Sequence, residues 1–321
     1  MLLAEHLATL RDRLDEIAAL AARTNKATVL VVQQFPVVED DGVCFPPVRE
    51  SIANLLAFVE LGTAHDLDAI LACAEPFNWI AVDADHKLPE SARIVQTAGS
   101  RVPPGRLLFY SDNQVWFDSA LDMVQRIEGG VSGRTVVMCG LGPLADSLAL
   151  TLPRIGACVI VPDDGTSPLH ASIVLGASQK RESIDAALIQ RLPANAAVYD
   201  VGIGNLTFEA AELARTRGLR LYRLDNRAGI SSAIVRLLET DNMVSRLMGR
   251  VRLRNVEVVA GGLLAPDGAV IVDDIRCPTM IFGIADGHGR FRREPLGPDD
   301  RERVQYVRSL IGRALEAGPS R

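Results

Sequence analysis

The stretch Arg134-Thr135-Val136-Val137-Met138-Cys139-Gly140-Leu141-Gly142-Pro143-Leu144-Ala145 decides the reading of this chain. Thr135 to Cys139 is a short β-branched and apolar run of the kind that fills a fully buried strand. The next six residues fit G-x-G-x-x-G/A, and the sequence after Pro143 opens a helix, the context that gives the motif mechanical meaning. Gly140 permits the tight turn, Gly142 lets backbone approach a pyrophosphate, and Ala145 keeps helix and strand close. Pro143 suits a first helical position, where its missing N–H costs nothing. The free N–H groups around Leu144 and Ala145, with the positive helix end, face an anion.

Working outward, Cys158 to Pro162 reads as the next strand, and Asp163 and Asp164 follow it. They stand about 20 residues beyond the glycine turn, where a carboxylate accepts from a ribose 2′-hydroxyl and repels a 2′-phosphate. NAD is therefore the expected cofactor and NADP the less favoured one. Only about seven residues separate Asp164 from the following strand, too few for the usual second crossover helix and third strand. Strands at Ala171 to Gly176, Ala197 to Val201 and Leu219 to Leu224 alternate with helices at Ser183 to Leu192 and Thr207 to Arg217. Gly133 to Asn226 is thus a Rossmann-type parallel sheet domain.

Toward the N-terminus, Leu2 to Arg23 has the spacing of an amphipathic helix. Strands at Thr28 to Gln33, Trp79 to Val82 and Leu107 to Phe109 alternate with helices at Val48 to Leu61, Asp66 to Ala74 and Glu90 to Thr97. A connecting helix at Val115 to Ile127 stops at Gly129-Gly130. Toward the C-terminus, Gly229 to Arg250 reads as helical. Val256 to Val259 and Val270 to Val272 flank a Pro266-Asp267-Gly268 turn in an expected β-hairpin, and a last helix covers Asp299 to Ala317. The fold class is α/β: an N-terminal helix and small α/β domain (1–128), a Rossmann-type parallel sheet domain (129–235), and a C-terminal helix, β-hairpin and helix (236–321). The apolar strings within Val256 to Phe282 exceed what a lone edge hairpin leaves exposed, so a homodimer interface is expected there.

The chain has 321 residues, 48% hydrophobic and 23% charged, with a formal charge of −6, enough for a large core. The acidic balance without a basic stripe argues against a nucleic-acid partner. The apolar runs fall short of the roughly 20 residues of a membrane span. Five scattered cysteines, Cys44, Cys73, Cys139, Cys158 and Cys277, read as reduced thiols of a cytoplasmic protein.

In doubly wound sheets ligands sit beyond the carboxyl ends of the strands. Ala177 and Ser178 follow one strand, and Gly202, Gly204 and Asn205 another, where small residues let a nicotinamide ring lie flat; Asn205 is also placed to grip polar groups. Asn226 and Arg227 follow a third strand and, with Asn113, are the candidates to hold a small amino-acid-like substrate. In the first domain Asp83, Asp85 and His86 follow one strand, and Ser111, Asp112 and Asn113 another. Asp112 and His86 are the candidate general bases, with Asp200 and Asp225 behind them, because hydride transfer needs a partner for the accompanying proton. His170 falls on the wrong edge of the sheet. Asp273, Asp274, Asp286 and His288 match no metal-ligand spacing, so no metal is expected.

The strings Asp112-Asn113, Ala120-Leu121-Asp122-Met123, Gly129-Gly130, Gly133-Arg134 and Gly140-Leu141-Gly142-Pro143 resemble the pyrrolysine synthase family, as does the domain order. The resemblance implies NAD-dependent oxidation of a primary amine to an aldehyde that closes to a cyclic imine. Gly133 to Val137 and Asp200 to Asn205 are more loosely similar to adenosylhomocysteine hydrolase and methylene-tetrahydrofolate dehydrogenase. The expected function is an NAD-dependent dehydrogenase acting on an amine, or on its imine, in a small amino-acid-derived substrate. Two alternatives are a redox-neutral enzyme with tightly held NAD and a non-catalytic nucleotide-binding interaction protein.

Overall fold

The computed structural model describes residues 2–35, 42–162, 170–178, 182–202 and 204–312. Its elements are, in order, α1 (Leu2–Thr24), β1 (Ala27–Gln34), β2 (Val43–Cys44), β3 (Arg49–Glu50), β4 (Asn54–Leu61), α2 (Leu67–Ala72), β5 (Trp79–Asp83), α3 (Ser91–Arg101), β6 (Leu107–Tyr110) and α4 (Asp112–Glu128). There follow β7 (Thr135–Cys139), α5 (Pro143–Thr151), β8 (Cys158–Ile160), β9 (Ile173–Gly176), α6 (Ala186–Arg191), β10 (Ala197–Val201), α7 (Phe208–Thr216), β11 (Arg220–Leu224) and α8 (Arg227–Asn242). The last are β12 (Gly249–Leu253), β13 (Val256–Ala260), β14 (Val270–Val272), β15 (Ile281–Ala285), β16 (Phe291–Arg292) and α9 (Pro298–Arg308). The chain divides into two compact units, Met1–Ile234 and Val235–Arg321.

The first unit carries two sheets. In the first, β4-β1-β5-β6 run parallel, and β2 and β3 pair antiparallel with β4. The helix expected over Val48 to Leu61 is instead β3, a turn and β4. Leu55 to Val59 are all buried, and a continuous apolar run has no period to separate helix from strand. Membership of a sheet covered on both faces outweighs the helix preference of Leu, Ala and Glu.

In the second sheet all neighbours are parallel in the order β11-β10-β9-β7-β8. Counted along the chain this is order 2-1-3-4-5, with the crossover reversing between β7 and β9. The link after β8 is too short for the usual second crossover helix, and β8 is the edge strand with β9 on the other side of β7. Asp163 and Asp164 themselves lie outside the described residues.

Helix α4 joins the sheets. Ser111 Oγ accepts from Gln114 N at 3.2 Å as its N-cap, and Gly129, left-handed at φ 67°, ends it. At its C-terminus the buried Glu128 carboxylate pairs with Arg134 at 2.8 Å and Arg220 at 3.0 Å and accepts from the buried Tyr199 hydroxyl. Burial pushes the Glu128 carboxyl up, but Tyr199 and the two guanidiniums outweigh it and leave it below the usual range. Helix α8 packs so closely on α4 that a Cβ at Gly229 would stand 2.0 Å from Ser119 Oγ and 2.8 Å from Val115 O.

In the second unit the expected hairpin is corrected. Val256–Ala260 pairs antiparallel with β12 before it, whereas β13 and β14 are parallel neighbours, Val258 opposite Val270. The Pro266-Asp267-Gly268 turn exists, with Ala269 N donating to Pro266 O at 3.2 Å, but the chain around it returns β14 to run alongside β13. Beyond α8 the chain takes a π-helical turn at Met243–Leu247 and enters β12, where a continuous helix to Arg250 was expected. Val258, Val259, Val270 and Val272 are at most 1% exposed, buried within the unit's own sheet beneath α9. The apolar strings therefore supply their own cover, and the reason for placing a dimer interface on them falls away.

Glu128→Ala removes the partner of two partly exposed arginines and leaves the buried Tyr199 hydroxyl without its acceptor, so unfolding stability should drop by roughly 1–3 kcal/mol. A carboxyl held low in the fold stabilises above its unfolded value and loses that contribution as pH falls through the folded one. The melting-temperature deficit of the variant against wild type should thus shrink in acid; a constant deficit would mean the Glu128 charge is not what is lost.

Candidate active site at the carboxyl edges of two sheets

At the carboxyl ends of β1, β5 and β6 the strands deliver Gln33, Gln34, Asp83 and Tyr110 to one place, all buried. The loop after β5 adds Lys87, four residues beyond Asp83, and α4 begins with Asp112. Lys87 Nζ lies 2.9 Å from Asp83 Oδ2 and 2.5 Å from Asp112 Oδ2. The remaining donors are ordered around the two carboxylates. Asp83 Oδ1 accepts from the backbone N–H of Asp85 at 3.0 Å and of Asp112 at 3.3 Å. Asp112 Oδ1 accepts from Gln33 Nε2 at 3.0 Å and from Asn226 Nδ2 at 3.2 Å. Asn113 N donates to Asp85 Oδ2 at 2.7 Å, tying the β5 loop to the start of α4.

The electrostatics follow from burial. Burial raises the Asp83 carboxyl and the neighbouring Asp112 charge adds to this, with Lys87 opposing. Burial alone would lower the Lys87 ammonium, but Asp112 and Asp83 together hold it above the ordinary lysine value. Tyr110 is driven well above the usual phenol range by burial and then by Asp112 and Asp83. Its hydroxyl has no hydrogen-bond partner among the described residues, and the neighbouring Gln33 side chain opposes the rise. At the end of β4, burial and Asp112 raise Glu60 against the pull of Arg49. Among the described residues no group of three or more His, Cys, Asp or Glu is arranged to hold a metal ion.

Of the two expected bases the structure brings Asp112 into this cluster and leaves His86 exposed, with no hydrogen bond among the described residues. Lys87, its neighbour, was missed. The available signal was the i, i+4 spacing from Asp83 at a strand end, and lysine beside a histidine reads as surface charge.

On the second sheet the glycine turn stands where the motif requires it. Gly140 and Gly142 have φ of 115° and 119°, Pro143 is the first residue of α5, and Ala145 is buried against the sheet. A Cβ at Gly140 would lie 2.8 Å from Ser178 N, so the close approach that glycine serves there is to the next loop of the same sheet. Leu144 packs into the core beneath the turn. Ala177 is buried and Ser178 half-buried at the end of β9. Gly202 and Gly204 are left-handed, and a Cβ at Gly202 would meet only Asn205 Nδ2, at 3.7 Å.

Asn205 itself is fully buried and spent inside the loops. Its Oδ1 accepts from Ser178 N and Ser183 Oγ, both at 2.9 Å, and its Nδ2 donates to Asp200 Oδ1 at 2.7 Å. It shapes the rim and offers no side-chain atom to a ligand. Asp200 is likewise held by its own loop, accepting from Gly204 N at 3.0 Å. Arg227 opens α8, and its side chain lies outside the description.

The fold is thus a Rossmann-type α/β protein with a second, acid-lined sheet edge that is bonded to the Rossmann sheet through Asn226. Among solved structures the chain is similar to the Trypanosoma brucei methylenetetrahydrofolate dehydrogenase-cyclohydrolase bound to NADP and an inhibitor (16% identity, 75% of this chain and 94% of that one, TM-score 0.35). It is also similar to the hetero-hexameric glutamate dehydrogenase of Thermus thermophilus (16% identity, 68% and 70%, TM-score 0.38). A third is shikimate dehydrogenase 1 of Peptoclostridium difficile (11% identity, 68% and 92%, TM-score 0.33). At these values the likeness assigns no reaction to this chain. No family model matches the chain, and no curated protein matches it. The likeness to pyrrolysine synthase rests on the quoted residues alone. Among the described residues no helix is long and apolar enough to cross a membrane.

Lys87→Met would leave Asp83 and Asp112 facing each other without a cation. A carboxyl raised in the fold stabilises fully only below its unfolded value, and that contribution is lost as pH rises through the folded one. The variant should melt well below wild type at neutral pH and approach it in acid, as read by thermal denaturation across pH. Parallel pH curves would show that Lys87 does not hold the two charges together.

Proposed function

We propose that the chain is a nicotinamide-dependent dehydrogenase in which Lys87 exchanges the proton that accompanies hydride transfer and Asp112 orients it. The observation that carries this reading is the contact of Lys87 with Asp112, itself bonded to Asn226 from the carboxyl edge of the Rossmann sheet. Asn226 follows β11, on the same carboxyl edge that carries the glycine turn after β7 three strand positions away, and a reaction that moves hydride and proton at one centre needs both groups to serve one bound substrate. The residues present suit the cofactor. The N-terminus of α5 supplies free N–H groups behind Gly142 for a pyrophosphate, and Gly202 and Gly204 leave room beside the next strand. When bound, the nicotinamide supplies the hydride donor or acceptor.

Lys87, held as an ammonium, gives its proton to the nitrogen of an imine as that carbon is reduced, and takes one back, once deprotonated, in the oxidation of an amine. Asp83 and Asp112 flank Lys87, with Glu60 acting on Asp112 and Asp85 held by Asn113 close by, and this acidic edge favours a protonated amine over an anion at the reacting end. NAD is proposed over NADP on the sequence position of Asp163 and Asp164. A small amino-acid-derived amine is the proposed substrate. His86, the exposed neighbour of Lys87, has no part in this mechanism.

Calorimetry should find NAD bound more tightly than NADP, and Gly142→Val should abolish both while the fold survives. On an amine that yields NADH with wild type, Lys87→Met should lower turnover by on the order of 10² or more while sparing NAD affinity. NAD that stays bound through purification without net NADH formation would favour redox-neutral chemistry instead. Absence of any NAD affinity would overturn the reading.

A further inference from the structure

Asn226 sits where two helices and two sheets meet. It follows β11 of the second sheet and precedes α8, whose first turn closes with Ile230 N donating to Asn226 O at 2.8 Å. A residue at such a position commonly turns its side chain onto its own helix, where the oxygen accepts from a first-turn N–H. Here the amide nitrogen reaches out to Asp112 Oδ1 at 3.2 Å, with the residue only 6% exposed. Asp112 opens α4, so the carboxylate lies at the N-terminus of one helix and takes a hydrogen bond from the residue that precedes another. That same oxygen accepts from Gln33 of the first sheet. The two donors, one from each sheet, fix Oδ1 and so aim Oδ2 at Lys87.

We propose that Asn226 is a positioning residue that couples the dinucleotide-binding sheet to the Lys87–Asp112 pair. Any displacement of the loop after β11, including one caused by cofactor binding, removes or tightens a donor on Asp112 and so changes how firmly Asp112 holds the Lys87 proton. The coupling rests on the dehydrogenase reading for its purpose, but the Asn226 to Asp112 contact stands without it. Charged and titratable groups that face Asp112 are Glu60 from β4, Asp83 from β5, Lys87 and Asp85 from the loop beyond it, and Tyr110 from β6. Asn226 itself is neutral at every pH, so replacing it alters Asp112 without adding a titration.

The test reads Asp112 directly and needs no substrate. In the full chain labelled with carboxyl-13C aspartate, the Asp112 resonance is assigned by its loss in Asp112→Asn and followed across pH in wild type and variants. Asn226→Ala removes a donor to the ionised form and should move the Asp112 midpoint up by roughly half to one pH unit. Asn226→Asp sets a second carboxylate against the first and should move it further. Asn226→Gln, which keeps the amide, should restore part of the shift. Adding NAD should move the midpoint in wild type and leave it in place in Asn226→Ala. Midpoints unchanged by Asn226→Ala, or an NAD-induced shift of equal size in both proteins, would overturn the proposal. Calorimetry with NAD separates the two readings. If NAD fails to bind while Asn226→Ala still moves Asp112, the dehydrogenase reading falls and the contact remains; if NAD binds and Asp112 is indifferent to Asn226, the coupling falls alone.

Discussion

The Lys87 ammonium lies between two buried carboxylates, of which burial pushes the Asp83 carboxyl up. A fully buried Asp83 and a nearly buried Asp112, brought this close, repel each other strongly in a poorly polarisable surround. The cation between them turns that repulsion into a bonded chain, Asp83 to Lys87 to Asp112. Removing one member of such a cluster costs far more than the cluster adds over an apolar packing of the same shape. Retaining it therefore points to use rather than to stability.

Much of the first unit is arranged around this point. Strand β5 ends on Asp83 and β6 ends two residues before Asp112. Gln33 and Gln34 at the end of β1 donate to both, Gln34 through its side chain to Asp83 O at 2.8 Å. Ser91, at the start of α3, donates to Gln34 Oε1 at 2.5 Å and fixes that amide in turn. Gln33, Gln34, Asp83, Lys87 and Asp112 are each held by a neighbour on a different element, which gives them little freedom to drift, while the Tyr110 hydroxyl beside them has no hydrogen-bond partner among the described residues. Preorganisation of that kind is what the proposed proton transfer would need.

Helix α4 has the opposite kind of anchor at each end. Its first residue enters the acid-lined edge, and its last, Glu128, is clamped by Arg134, Arg220 and Tyr199 at the far edge of the second sheet. A rigid helix held at both termini transmits position between the sheets without needing a wide interface. Close packing of α8 at Gly229 adds a second strut, and the backbone there tolerates no side chain.

Local sequence determined the Rossmann half. Gly140, Gly142 and Pro143 directly after an apolar strand admit few other conformations, and the short stretch after Asp164 already left no room for the usual second crossover helix. The sequence also marked Asp112, because an acid at a helix start behind a strand end is a pattern carried by neighbouring residues. Tertiary structure alone decided β4, whose Leu55-Leu56-Ala57-Phe58-Val59 has no period and becomes a strand only between partners. It alone decided the parallel pairing of β13 with β14, since a turn sequence fixes a reversal of direction locally but not which strand the chain returns to. Lys87 and the inward turn of Asn226 belong with these. A lysine is legible as a buried cation, and an asparagine as a bridge between sheets, only once strands distant in sequence have placed Asp83 and Asp112 within reach, because the energy that selects those roles comes from desolvated charges that the chain brings together only by folding.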